Sequence, residues 1–353
     1  MNVASHPEMM GQGDRLRRRE IGMERLELAV VQLEEAKRMI EKGRVPHLRL
    51  AYLLIDSVTE LILHRVVQAE LQLQGMLKKL LSVYEEGAAH GMPADPEQVA
   101  SIEAQIVSKA DLRNIDRNFD AKVGLLVRRN VLDEALGPVL EKLHKYRNEM
   151  YHRDKLRSEI IRPATLIYFD CACTVLESHR EVVVTYPSSL GSEICRFTEG
   201  RPPRFDEAMD LPKRIAAQLR REVGLDLPQV RSALSAYLDA RLDQMVEGLE
   251  FVEDNLGFPG LVRGDALRLV QANLAANPTL EQVRGRKYQY SKVDLELWRS
   301  RAAALEAIDD KHALVSEYAA IEDSFELLEE KIRDAALQVD YEVQFQIDVA
   351  RGK

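Results

Sequence analysis

The stretch from Leu48 to Val83 constrains this chain more than any other. Through its first half, Leu53, Leu54, Ile55, Val58, Leu61, Ile62, Leu63 and Val66 leave almost no polar face on a helix. A helix that is apolar nearly all round must be enclosed by other helices, so the expected fold class is an all-α bundle. Across the same segment Asp56, Glu60 and His64 recur every fourth residue, which puts three ionisable side chains on one face. Buried charge is costly unless it is paired. The stripe therefore lines a site or belongs to a polar network closed by Arg or Lys from a neighbouring helix.

The rest of the chain reads the same way. Ile21, Leu26, Ala29, Val30, Leu33, Ala36 and Ile40 follow a helical period that Gly43 stops. A third helical region runs from about Gln98 to Val131. A fourth starts near Asp133, weakens at Gly137 and Pro138, and ends in Tyr146-Arg147-Asn148-Glu149-Met150-Tyr151-His152. A fifth carries Leu166, Ile167, Phe169, Ala172, Val175 and Leu176. Helices joined by short loops make a compact bundle. With 353 residues the chain is long enough for two domains. The expected division is a disordered segment 1–14, a bundle over 15–185, a hairpin and linker over 186–211, and a helical domain over 212–353.

Texture supports that division. Val182, Val183, Val184, Thr185 and Tyr186, then Ile194, Arg196, Phe197 and Thr198, read as a hairpin around a Pro/Ser/Gly turn. Gly200-Arg201-Pro202-Pro203 reads as the linker. Beyond it, helices are expected over about 212–223, 228–256 and 263–276, with a long run from about Lys292. Within that run Leu314, Tyr318, Ile321, Phe325, Leu328, Ile332 and Ala335 form a heptad seam, which fits a bundle helix and a coiled coil equally well. From Asp340 the pattern changes. Tyr341, Val343, Phe345, Ile347 and Val349 alternate with polar residues, and this period of two predicts a short C-terminal strand over 340–349.

Composition narrows the function. A net charge of −9 and a sequence pI of about 5.6 exclude a protein that coats polyanions wholesale, so any nucleic-acid contact is a local patch. The three cysteines form no paired zinc pattern and fit a reducing cytoplasm. There is no run of 18 or more apolar residues of the kind a membrane span requires, so no membrane role is expected.

The chemistry is concentrated at the end of the fourth helix. Arg147 offers a charged planar fork that matches phosphate oxygens, and His152 a side chain that exchanges protons near neutrality. Composition alone predicts roughly one Arg-x4-His in such a chain, whereas requiring Asn148 as well reduces the expectation to roughly 0.02. On an unbroken helix, positions five apart point about 140° away from each other, so Arg147 and His152 address one phosphate only where the helix ends or distorts between them. His144 shares a face with Asn148 and is the alternative proton carrier within one chain. Glu141-Lys142-Leu143-His144 has the spacing of a di-iron ligand pair, but such a site needs the motif on two different helices and two further Glu, whereas the other Glu-x-x-His, Glu149 to His152, lies on the same run; no metal or cofactor is expected.

These residues resemble the HEPN superfamily. Its members are helical bundles in which a helix ends with Arg, a polar residue that is often Asn, three variable residues and His. The resemblance covers roughly residues 15–185. Arg147 and His152 match the catalytic pair, Asn148 matches the polar second position, and Glu60 or Asp56 matches an acidic position on the second helix. His144 and Tyr151 join them as supporting residues. Many members are metal-independent endoribonucleases that act as dimers, the motifs of two protomers forming one cleft. The resemblance therefore implies RNA as substrate, a homodimer formed through the N-terminal bundle, and a toxin or phage-defence context. It also leaves room for a bundle that binds RNA or a nucleotide, or scaffolds an assembly, without cleaving.

RNA contact beyond the motif is expected from Arg113, Arg117, Arg128 and Arg129 in the third region. In the C-terminal domain it is expected from Arg284 and Lys287, within a segment where cations alternate with Tyr288, Tyr290 and Trp298. The C-terminal domain has no counterpart in the resemblance and is expected to engage a protein partner or regulator.

Overall fold

A computed structural model describes residues 12–92, 95–179, 192–198, 200–201, 204–256, 260–272 and 278–352. The all-α expectation holds: among the described residues there are helices and turns and no strand. In chain order the helices are α1 (Gln12–Lys42), α2 (Val45–Ala89), α3 (Pro96–Gln105), α4 (Lys109–Arg117), α5 (Phe119–Arg128), α6 (Leu136–His152), α7 (Ile161–Glu177), α8 (Ser192–Cys195), α9 (Phe205–Val223), α10 (Leu227–Asn255), α11 (Ala266–Leu269), α12 (Leu280–Gly285), α13 (Lys292–Ala304) and α14 (Lys311–Ala350).

The chain divides into two compact units, Met1–Leu225 and Asp226–Lys353. In the first, α2 is the central element. It packs against α1, α5, α6 and α7, and Tyr52, Ile55, Val58, Ile62 and Leu63 are fully enclosed. Gly43 ends α1 with φ of +65°, a left-handed conformation that costs glycine nothing, and so turns the chain directly into α2. Pro46 sits in the first turn of α2, where its missing N–H would have no helical partner in any case. Pro138 likewise falls in the first turn of α6; it starts that helix rather than weakening it.

Several expectations are corrected. The third region is three helices, because α3 closes at Gln105 and Ser108 caps α4 through its side chain to Asp111 N. Residues 12–14, expected to be disordered, are the first turn of α1, while 1–11 lie outside the described residues. Of the expected hairpin, Val182 to Tyr186 lie outside the described residues, and Ser192–Cys195 is a helical turn rather than a strand. The division falls at 225/226, not within 186–211, because α9 packs on α7 and α1 and so belongs to the first unit. Of the helix expected over 263–276, residues 273–276 lie outside the described residues, and among the rest the helix is Ala266–Leu269.

In the second unit, α10 and α14 pack together, with α13 against α10. The heptad seam from Leu314 to Ile332 is buried in that interface, so α14 is a bundle helix. Gly248 permits the close approach: a Cβ there would lie 2.8 Å from Ile332 Cγ2. The expected strand over 340–349 is overturned, because α14 runs unbroken to Ala350. Val339 is buried with Val252 and Ala266, and Ala335, Ala336 and Val343 pack against them. That is a helical stripe three to four residues apart, and it outweighs the alternation, of which Tyr341, Phe345 and Val349 are exposed and Ile347 is partly buried.

Candidate functional site

The site is built by α2 holding α6. Arg49 donates to Met150 O at 3.0 Å, and Tyr52 donates to Leu143 O at 2.9 Å. One turn further, Asp56 Oδ1 meets His144 Nδ1 at 2.7 Å. These side chains, one helical turn apart on α2, fasten α6 over its last two turns. Arg49 also pairs with Asp154 at 3.1 Å just past the helix. The helix therefore does not break between Arg147 and His152. It continues to His152 and closes at Arg153, whose N–H bonds Glu149 O. The geometric condition for the Arg147 and His152 pair is not met within one chain: the two side chains project about 140° apart.

What the structure does bring together is a buried carboxylate and its partners. Asp56 has no exposed surface. Its Oδ1 accepts from Tyr168 at 2.7 Å as well as meeting His144. Its Oδ2 lies 3.1 Å from Arg147 Nε, an ion pair. That approach lacks the alignment of a hydrogen bond, and both atoms are buried with no hydrogen-bond partner among the described residues. Arg147 is thus held here by charge rather than by a directed bond. Buried polar atoms in this condition are uncommon and call for an explanation. The Tyr168 phenol is pushed well above its usual range by burial, then by the charge of Asp56, so it remains a donor.

His144 is partly exposed and stacks flat on Phe119, with ring centroids 4.0 Å apart and planes 5° from parallel. The Nδ1 contact with Asp56 and this stacking fix the ring in two directions. Its Nε2 has no protein partner among the described residues. A histidine held at one nitrogen by a carboxylate has its tautomer and orientation set, and the other nitrogen is available for proton transfer. Arg147 is 26% exposed; it donates from Nη1 to Asn148 Oδ1 at 2.9 Å and lies over the Tyr151 ring at 5.1 Å. Asn148 and Tyr151 therefore orient the arginine. His152 is exposed and meets Tyr151 edge-on at 5.0 Å.

The acidic stripe divides. Asp56 serves α6 and α7, while Glu60 is half exposed and pairs with Lys122 of α5 at 3.3 Å. His64 is partly exposed. Arg113, Arg117 and Arg128 are exposed, and Arg129 is tied to Gln105 O. Arg284 is engaged with Asp265 at 3.0 and 3.2 Å through Nε and with Gly260 O at 2.9 Å. Lys287 is exposed. Trp298 is buried between Tyr290 and Phe325, each centroid 5.8 Å away, so it is core rather than a stacking platform. Arg299 pairs with Asp239 and Asp243, and Arg301 with Glu317.

Tyr168 and Phe119 are the site residues that the sequence reading passed over. Each sits in an apolar pattern that reads as core, and nothing local marks its polar or stacking partner. No group of three or more His, Cys, Asp or Glu side chains gathers as a metal site among the described residues. No helix among them is long and apolar enough to cross a membrane.

The fold and this arrangement define the class of molecule: an all-α protein whose first unit carries a buried carboxylate shared by a histidine, an arginine and a tyrosine. No family model, no curated protein and no solved structure matches the chain.

Proposed function

We propose that the first unit is a metal-independent endoribonuclease of HEPN type in which Asp56, His144 and Arg147 form the working group. The observation that carries the reading is the shared carboxylate, with His144 at 2.7 Å and Arg147 at 3.1 Å. RNA supplies its own nucleophile, so the protein need only take the 2′-hydroxyl proton and stabilise the crowded phosphate. His144 Nε2 accepts that proton. The 2′-oxygen forms its bond to phosphorus, the bond to the 5′-oxygen breaks, and the departing oxygen takes a proton from water. The products are a 2′,3′-cyclic phosphate and a 5′-hydroxyl. Arg147 turns its free edge to the phosphate oxygens, where preorganised charge acts on the transition state. Asp56 is a positioning residue. His152, on the other side of α6, is assigned no proton transfer within one chain.

The unbroken helix favours a second reading, in which the bundle binds RNA or a nucleotide through Arg147 and the exposed helix end without cutting. One experiment separates the two: incubation of an RNA pool in EDTA with wild type, Arg147→Ala, His144→Ala and His152→Ala. The nuclease reading expects cyclic-phosphate ends from wild type and from His152→Ala, and their loss in the other two. RNA retained by wild type with no new ends, and retention lost in Arg147→Ala, supports binding alone.

A further inference from the structure

Beyond the bundle, α2 continues for several turns with a second apolar stripe. Leu73, Met76, Leu80 and Val83 are 52%, 65%, 38% and 59% exposed, and they are separated by three, four and three residues. This is the a/d spacing of a coiled-coil seam, here on a helix that no other element covers on that side among the described residues. The opposite side is occupied. The α3 helix folds back on α2, Gln74 exchanges hydrogen bonds with Val107, and Leu77, Leu81, Tyr84, Val99 and Ile102 are partly buried.

We propose that this stripe is a self-association surface, on which α2 pairs antiparallel with α2 of a second copy of the chain. Charge decides both the occupant and the direction. Lys79 and Glu86 flank the seam at equivalent positions one heptad apart, both exposed and without an ion-pair partner among the described residues. In an antiparallel pair that sets Leu80 against the partner's Val83, Lys79 lies beside the partner's Glu86, and symmetry makes the contact twice. A parallel pair would instead set Lys79 against the partner's Tyr84 and gain no ion pair. With α3 behind each α2, two copies give a four-helix arrangement of two hairpins.

The seam from Leu73 to Ala89 is about 25 Å long and one helix, about 10 Å, wide, well short of the ~800 Å² per partner of a standard interface. The dimer is therefore expected to be reversible and concentration-dependent. The test is the mass of the full chain in solution between about 1 and 100 µM, the range in which a small interface assembles. Wild type shifts from monomer to dimer. Leu80→Asp and Met76→Asp each raise the dissociation constant at least about tenfold, with unchanged helix content by circular dichroism because both positions face water in the monomer. Lys79→Glu and Glu86→Lys each weaken the dimer several-fold, and the double variant Lys79→Glu/Glu86→Lys recovers it. A wild type that stays monomeric overturns the proposal, as does a dimer indifferent to Leu80→Asp. A double variant no better than its singles overturns the antiparallel pairing.

Discussion

His144 Nδ1 lies 2.7 Å from Asp56 Oδ1, a contact that joins two helices across 88 residues of sequence. Because the carboxylate also meets Tyr168 and Arg147, loss of either side chain of the pair has a different signature. His144→Ala removes the proton acceptor and is expected to lower cleavage by about 10²–10⁴. Asp56→Asn leaves the imidazole in place but no longer charge-oriented; it is expected to lower kcat while RNA retention stays near wild type. His152→Ala is expected to stay within a few-fold. Single-turnover rates and filter binding on the same RNA check all three, and a His152→Ala loss equal to that of His144→Ala would remove the assignment.

Tyr168→Phe deletes a hydrogen bond to a buried carboxylate. It is expected to cost about 1.5–3 kcal/mol, the range for bonds to charged groups, measured by denaturant unfolding at neutral pH. The pH dependence follows from the raised phenol. Burial and Asp56 hold its folded pKa above the ordinary phenol value of 10.0. Stability from the neutral phenol is therefore complete below pH 10 and declines as the pH rises above it, because the unfolded state releases the proton first. The gap between wild type and Tyr168→Phe is expected to narrow in that alkaline range.

Glu222 gives the opposite sign. Burial pushes its carboxyl up, but hydrogen bonds from Arg196, Lys37 and Gln218 outweigh that and bring it down to about 2. Its contribution is then complete above the ordinary value of 4.5 and is lost as the pH falls from there through about 2. Glu222→Gln is expected to melt below wild type at pH 5 and to converge with it near pH 2. The melting temperatures of the two proteins along that series are the measurement.

Gly248→Ala tests the packing of the second unit. The new methyl group meets Ile332 Cγ2 at 2.8 Å, and Ile332 is a buried, β-branched side chain with little freedom to withdraw. Overpacking of this kind costs about 1–3 kcal/mol, against the modest gain that alanine brings to a helix interior. Net destabilisation in urea is expected, and Gly248→Ala is expected to cost less in an Ile332→Ala background than in the wild type.

The helices and the central position of α2 were legible because their signals are local: a 3.6-residue period, glycine stops and an apolar circumference. Asp56 was legible as well, since a carboxylate amid buried leucines must find partners. The identity of those partners was not, because His144 and Tyr168 are brought to it by tertiary packing over 88 and 112 residues. The path of α6 past Arg147 was hidden for the same reason: Arg49 and Tyr52, which hold its carbonyls, carry no signal that they would do so. The strand expected over 340–349 failed because its residues satisfy two periods at once. Val339 and Val343 find a core, and the helix that buries them decides the rest. The boundary was misplaced because a Pro/Gly stretch marks a turn, not which unit the following helix joins.

Position 56 and the seam at positions 73–83 belong to a single unbroken helix, α2. A helix is stiff along its axis, so the two regions cannot reorient independently. Val83 lies about 40 Å along the rod from Asp56, and a tilt of about 5° pivoting at the carboxylate displaces it by about 3.5 Å, more than half of one helical turn. The length of α2 makes it a lever: a small adjustment around the carboxylate is read out as a large excursion at the far tip.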